Sequence, residues 1–316
     1  MKGFGEQQKS KKKSNKKTKL SKEQIINQAI QFHSQGNIQE AAKYYQYCIN
    51  QDFNDHRVFS NYALILQGIG RLKDAELSYR KAIAIKPDFA EAYSNLGNIL
   101  SDLGRLKDAE LSTRKAIAIK PDFAEAYANL GNILSDFGKL QDAELSYRKA
   151  IAIKPDYAEA YANWGIILKD LGKLQDAELS YRKAIGIKPD YAEAYSNLGN
   201  ILRDLGKLKD AELFTRKAIE IKPDLAKAYY LLSLIEYSDE NKIWQDKLFS
   251  QNILDNKSQK DQVDIYFARA NILHKEKNYE DSSKFLKLAN KLKLILHPSK
   301  PDSLINKSKI LLIESD

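Results

Sequence analysis

Residues 90–123 read AEAYSNLGNILSDLGRLKDAELSTRKAIAIKPDF, and the following 34 residues repeat this stretch with 28 positions unchanged. The same unit recurs at 158–191 and 192–225, and more loosely at 56–89. A fixed period of this length is typical of proteins that stack one small structural unit many times. The sequence therefore predicts a repeat protein in which each unit buries its apolar face against its neighbours.

Apolar residues within the unit have helical spacing. Tyr93, Leu96 and Leu100 lie three or four positions apart and predict one face of a first helix. Gly104 follows at a point where helices commonly end with a left-handed residue. A second amphipathic helix is predicted over 106–119. We therefore expect each unit to form a helix, a tight turn, a second helix and another tight turn.

The junctions between units carry further local signals. Pro121 bars continuation of the second helix. Asp122 and Glu125 have the Asp-x-x-Glu spacing of a capping box, which predicts that they cap the next helix. The pair recurs as Asp88 and Glu91, Asp156 and Glu159, and Asp190 and Glu193. The small residues Gly97 and Ala109 predict a close contact between the two helices of a unit.

The recurring residues resemble the tetratricopeptide repeat. In one unit they are Tyr127, Leu130, Gly131, Gly138, Ala143, Tyr147, Ala150 and Pro155. The resemblance covers residues 22–225 well and 226–296 more loosely. It implies an all-α fold, a right-handed α-solenoid of stacked helix–turn–helix units, and a concave groove that binds peptides or partner proteins.

The period divides the chain into an array and its flanks. Residues 1–21 are predicted to be a disordered basic leader, and 22–225 an array of six units. These units are 22–55, 56–89, 90–123, 124–157, 158–191 and 192–225. After the array we expect a divergent helical pair and loop (226–262), a degenerate repeat (263–296) and a C-terminal helix (297–316). Atypical end units are expected because an end unit must face water on one side.

The net charge of +9 belongs almost entirely to the leader, since residues 1–22 contain nine Lys and one Glu. A lysine run without interleaved aromatic or arginine residues is typical of a solvated tail. Contact with nucleic acid or an anionic membrane is the alternative for this segment alone. The repeats themselves are close to neutral, which argues against a nucleic-acid-binding array.

No catalytic or metal-binding pattern is present in the sequence. There is no phosphate-binding glycine loop, and the four His residues are scattered, so we predict no cofactor, no metal and no enzymatic activity. The single cysteine, Cys48, cannot form an internal disulfide, which favours a cytoplasmic protein. No apolar run is long enough to predict a membrane span.

Two resemblances to transferase proteins suggest an alternative function. An Asn at the sixth position of each unit is similar to the array of O-linked N-acetylglucosamine transferase. The leader, the array and the stretches NKIWQDKLFSQNIL and IYFARANILHKEKNYEDSSKFL together resemble the amino-terminal part of cyanobacterial repeat–sulfotransferase proteins. The alternative is therefore a substrate-recognition arm of a sulfotransferase or glycosyltransferase whose catalytic domain is absent from this sequence.

The main functional prediction is a peptide-binding groove on the first helices. Positions two, six, nine and thirteen of the unit form one stripe opposite the packing face. The candidate groove residues are Asn61, Asn95, Asn98, Asp102, Asn129, Asn132, Asp136, Asn163, Ile166, Lys169, Asp170, Asn197, Asn200 and Asp204. Asn amides can pair with a peptide backbone as donor and acceptor, and the Asp residues favour a neutral or basic segment. Alternatively, the Asn side chains bridge adjacent helices.

Overall fold

The computed structural model describes residues 20–235 and 242–296, and these residues contain helices and no strand. The predicted leader up to residue 19 and the predicted C-terminal helix at 297–316 lie outside the described residues. The chain divides into two compact bodies, residues 1–121 and 122–316. The predicted all-α class with repeated helix–turn–helix pairs is confirmed within each body.

The first body consists of three antiparallel helix pairs. The pairs are α1 (Lys22–Ser34) with α2 (Ile38–Asn50), α3 (His56–Gly68) with α4 (Leu72–Ile85), and α5 (Ala90–Asp102) with α6 (Leu106–Ile119). In addition, α2 packs on α3, and α4 packs on α5. Consecutive repeats in this body therefore pack directly on one another, and the first two share one apolar cluster.

The second body continues the same pattern and then departs from it. Its regular pairs are α7 (Ala124–Asp136) with α8 (Leu140–Ile153), α9 (Ala158–Asp170) with α10 (Leu174–Ile187), and α11 (Ala192–Asp204) with α12 (Leu208–Ile221). They are followed by α13 (Ala226–Leu234), α14 (Lys242–Phe249), a 3₁₀ turn (Gln251–Leu254), α15 (Gln259–Lys275) and α16 (Tyr279–Leu296). Within 226–262, where a divergent helical pair and a loop were expected, α15 already begins at Gln259, and Ser258 caps it by accepting a bond from the Asp261 N–H.

The turn inside each regular repeat depends on its glycine. Gly104 has φ of 75°, in the left-handed region that side chains disfavour. The next residue, Arg105, donates its backbone N–H to Leu100 O at 2.8 Å, which closes the turn over the end of α5. The predicted helix stop is confirmed here, and the same geometry recurs at Gly36, Gly70, Gly138, Gly172 and Gly206.

A second glycine brings the two helices of a repeat together. A Cβ added to Gly131 would lie 2.8 Å from the ring of Tyr147, and one added to Gly97 would lie too close to Thr113 Oγ1. The close contact predicted at Gly97 is therefore confirmed, and Ala109 contributes its backbone oxygen at 3.2 Å. The principal partner, however, is the side chain four residues after Ala109. Gly131 and its equivalents, which lack a Cβ, leave the space that this side chain of the second helix occupies.

The predicted capping boxes are wrong. The N-cap of α7 is Phe123, with no side-chain cap, and the N-caps of α5, α9 and α11 are also aromatic. Glu125 instead meets Lys154 of the same repeat at 2.9 Å. Equivalent pairs are Glu91 with Lys120, Glu159 with Lys188, and Glu193 with Lys222. Lys154 directly follows the second helix of its repeat, and the antiparallel pairing places it beside the start of the first helix. The Glu125 carboxylate therefore pairs with Lys154 instead of capping the helix.

Another set of ion pairs joins successive repeats. Glu178 accepts bonds from Lys207 of the next repeat at 2.7 Å and from Arg182 on its own helix. Burial alone would raise the pKa of Glu178, but the two cations outweigh burial and lower this pKa. Glu76 meets Arg105 and Glu144 meets Lys173 in the same way. Because these carboxylates are nearly buried, the three pairs fix their repeats against the following ones within each body.

Candidate functional site: a polar face on the first helices

Four positions of each first helix form one polar face, which we call the asparagine face. It consists of positions two, six, nine and thirteen of the regular repeats, on 56–89 and 90–123 in the first body and on 124–157, 158–191 and 192–225 in the second. The central amide, at position six, is half-buried in all five repeats, at Asn61, Asn95, Asn129, Asn163 and Asn197. The Asp at position thirteen is exposed in all four repeats from 90 to 225. Each first helix therefore presents the predicted residues together, with apolar positions turned into the core.

Some of the amides bridge helices, as the alternative interpretation predicted. Asn163 donates its Nδ2 to Asn132 Oδ1 of the preceding repeat at 3.4 Å. The Asn132 oxygen also accepts the hydroxyl of Tyr147. Lys227 donates to Asn197 Oδ1 at 2.8 Å. Because an Asn amide has two N–H donors and two lone pairs, these bonds use only part of its capacity.

The tyrosines beneath the face interact with these amides in the first body as well. Burial raises the pKa of Tyr45 to about 12, and the side chain of Asn61 opposes this shift. Burial likewise raises the pKa of Tyr79, with Asn95 opposing it, although no bond of good geometry joins the two side chains. The position-six amides therefore lie where the buried tyrosines meet the solvent.

The acidic row is partly compensated at its carboxyl-terminal end. Lys169 Nζ lies 3.5 Å from Asp204 and Arg203 lies 2.7 Å from it, so this carboxylate has two cationic neighbours. Ile166 replaces the Asn of other repeats and is 43% exposed. The exposed Ile166 beside the paired Lys169 distinguishes this part of the face from the uniform repeats before it.

Two charged residues extend the face beyond the positions that sequence analysis identified. Desolvation lowers the pKa of Lys227, and nearby Lys169 lowers it further. Desolvation raises the pKa of Asp264, and Asp261 adds to this effect. Lys227 stands at position two, where four preceding repeats carry Glu. That reversal of charge was the sequence signal that could have identified it.

The described residues contain neither a cluster of metal ligands nor a helix that could span a membrane. Nowhere in 20–235 or 242–296 do three or more His, Cys, Asp or Glu side chains come together as a set of metal ligands. In the same residues no helix combines the length and apolarity required to cross a bilayer. The arrangement can donate and accept hydrogen bonds and attract or repel charge, which are the capacities of a binding surface.

Comparison with known proteins identifies the repeat. A sequence model described as TPR repeat matches residues 69–104 and 165–206. Two models described as tetratricopeptide repeat match 90–123, 124–157 and 192–225, and 263–294. Together these matches cover more than half of the chain. They describe the repeat alone, so the resemblance to transferase arrays stays a prediction. No curated protein sequence matches the chain.

Solved structures share the architecture. PilW, a type IV pilus biogenesis factor, aligns with a TM-score of 0.61 at 21% identity, covering 67% of this chain and 98% of that protein. A tetratricopeptide repeat protein from Parabacteroides merdae aligns with a TM-score of 0.58 at 18% identity, covering 85% and 98%. MamA has 30% identity with a TM-score of 0.46, covering 51% and 95%. With its matched repeats and stacked helix pairs, the chain belongs to the tetratricopeptide repeat proteins.

Proposed function

We propose that the protein is an interaction scaffold whose asparagine face holds an extended segment of a partner protein. The observation that carries this proposal is the recurrence of a half-buried amide at position six, in two repeats of the first body and in three consecutive repeats of the second. Because each amide lies at the surface, it can form hydrogen bonds in addition to those that join neighbouring helices. A row of such amides can pair with the backbone of an extended chain, largely independently of sequence.

The spacing of the repeats suits this mode of binding. Packed helices lie about 8–10 Å apart, and an extended chain advances about 3.3 Å per residue. About three residues of a bound segment would therefore separate contacts with consecutive first helices. The segment would meet one amide per repeat, with side chains between these contacts free to vary.

Charge adds a preference to this backbone pairing. Asp170 is exposed on the face, and the described residues give it no cationic partner, whereas Asp204 has Lys169 and Arg203 beside it. A neutral or basic segment is therefore favoured near Asp170. The preference should weaken towards Asp204, because the neighbouring cations already compensate that carboxylate.

The test uses peptides selected by display against the full chain, with Asn129, Asn163 and Asn197 replaced together by Ala. Each lost hydrogen bond is worth roughly 0.5–1.5 kcal/mol, so affinity should fall by about 1.5–4.5 kcal/mol. This corresponds to a loss of roughly ten- to two-thousand-fold. The matched control replaces exposed residues of the same repeats, Gln141, Gln175 and Lys209, by Ala and should leave affinity unchanged.

Two results would contradict the proposal. Equal affinity losses in the asparagine and control variants would show that the peptides bind elsewhere. A large fall in melting temperature, with binding lost only in proportion to unfolded protein, would mean that the amides serve only to bridge helices. In addition, Asp170→Asn should weaken binding of a basic peptide at low salt and have little effect at high salt, where exposed charges are screened.

A further inference from the structure

A second surface lies on the other side of the repeats, where the second helix of one repeat meets the following repeat. In the second body it contains a pocket of about 360 Å³ between the repeats 124–157 and 158–191. Tyr161, Trp164 and Leu179 line it on one repeat and Arg148 lines it on the other. Leu179 is 67% exposed, so the pocket opens directly to solvent.

The pocket is a feature of the repeat rather than an isolated irregularity. Equivalent pockets of about 240 and 440 Å³ lie in the first body, at the same positions of their repeats. In the larger of these, Tyr93 and Leu111 take the places of Tyr161 and Leu179. The leucine at this position is exposed in every regular repeat, at Leu77, Leu111, Leu145, Leu179 and Leu213. In each of the three pockets this leucine adds an exposed apolar side chain to the lining.

The next repeat shows which side chain fits. At the position of Ser180, the repeat 192–225 carries Phe214. The Phe214 ring stacks on Tyr195, with centroids 5.9 Å apart and planes 29° apart. The guanidinium carbon of Arg182 lies 5.1 Å from the Phe214 centroid. Tyr195 and Arg182 occupy the repeat positions of Tyr161 and Arg148, so one aromatic ring already fills the equivalent site.

The arginine of the open pocket is available for such a ring. In the other regular repeats this arginine pairs with the glutamate one turn earlier, as Arg80 does with Glu76. Glu144, the corresponding glutamate, is engaged by Lys173 at 2.7 Å. Within the described residues Arg148 has no ion-pair or hydrogen-bond partner. A guanidinium free of a carboxylate can lie over an aromatic face.

We infer that the pocket formed by Arg148, Tyr161, Trp164 and Leu179 binds an aromatic side chain of a partner protein. The ring stacks against Tyr161 and Trp164 and lies under the Arg148 guanidinium, as Phe214 does between Tyr195 and Arg182. Asp176, which also lines the pocket, opposes the charge of Arg148, so recognition falls on the ring rather than on a flanking charge. This surface is separate from the asparagine face.

Fluorine resonance of the intact chain labelled with 5-fluorotryptophan tests the inference. The chain has two Trp residues; Trp164 lines this pocket, whereas Trp244 lies at a separate pocket beside Arg216, so the two signals report on two different sites. The probe is acetyl-Ser-Phe-Ser-amide at millimolar concentration, with acetyl-Ser-Leu-Ser-amide for comparison. The Phe peptide should shift the Trp164 signal, and the Leu peptide should bind at least about tenfold more weakly because it lacks stacking and cation–π contacts.

Ser180→Phe provides the decisive variant, because it gives this repeat the side chain that the following repeat already carries. The new ring should fill the pocket, and the Trp164 signal should no longer respond to the Phe peptide. Ser112→Phe places the same change in the first body and should leave the response intact. An unchanged response in a folded Ser180→Phe protein would overturn the inference, as would equal binding of the Leu and Phe peptides or no shift of the Trp164 signal.

Discussion

Replacing Gly131 by Ala tests the packing that holds each helix pair together. The added Cβ would lie 2.8 Å from Cε2 and Cζ of Tyr147, whereas ordinary carbon contacts begin near 3.5 Å. The ring must therefore retreat by more than half an ångström. Tyr147 is only 1% exposed, and its hydroxyl bonds to Asn132 on the same helix as Gly131. The ring therefore has little space into which it can move.

Two opposing contributions set the change in the free energy of unfolding caused by Gly131→Ala. Overpacking a core typically costs about 1–3 kcal/mol, while Gly→Ala inside a helix gains up to about 1 kcal/mol. The net loss should be about 1–2 kcal/mol. Urea unfolding followed by tryptophan fluorescence reports on the second body, because Trp164 and Trp244 both lie there. With a slope of about 2 kcal/mol per molar, the midpoint should fall by roughly 0.5–1 M.

Gly186→Ala is the matched control for this change. Gly186 lies inside α10, and a Cβ there would meet nothing within 4 Å. Three other repeats carry Ala at this position, so the substitution should stabilise the protein by about 0.5–1 kcal/mol. Opposite signs for the two variants are required. If both variants raised the urea midpoint, the contact between Gly131 and the Tyr147 ring would not be what holds the helix pair together.

Three further outcomes can be measured on the same chain. Burial raises the pKa of Tyr147, whereas an unfolded tyrosine ionises near pH 10; stability should therefore be lost as pH rises above about 10, and less steeply in Tyr147→Phe. Burial, and then the charge of Asp55, raises the pKa of the Cys48 thiol, so its reaction with a disulfide reagent should follow unfolding in urea and be negligible in the native protein. Glu125→Gln should cost less than about 1 kcal/mol in a melting experiment and lose its effect at high salt, because the Lys154 pair is exposed; a salt-independent loss would instead indicate a cap.

Local periodicity was enough to predict the helix pairs. Tyr93, Leu96 and Leu100 repeat at helical spacing, and Gly104 needs only its own backbone to end the helix. These signals lie within one or two turns of chain, where sequence and structure are closely coupled. The capping boxes failed for the opposite reason. Glu125 finds Lys154, a partner 29 residues away, and a four-residue pattern cannot show that competition.

The asparagine face was predicted as a stripe, with bridging of helices as the alternative role of its amides, but the sequence did not indicate which amides would bond. Helical geometry puts positions two, six, nine and thirteen on one side, which required no tertiary information. The bond from Asn163 to Asn132 depends on how adjacent repeats approach, and so does the freedom of Arg148. Phe214 could have been recognised earlier, since it is a large ring where the preceding regular repeats carry Ser. That its ring fills a site between two repeats could be recognised only from the positions of Tyr195 and Arg182.

The two kinds of ion pair have a consequence for how such an array can change length during evolution. Glu125 with Lys154 lies wholly within one repeat, whereas Glu144 with Lys173 joins a repeat to its successor. The residues at both ends of the joining pair recur in every regular repeat as an acid and a base. A duplicated or deleted 34-residue segment therefore restores both kinds of contact at its new borders. Gene-level gain and loss of whole repeats can then proceed without compensating substitutions.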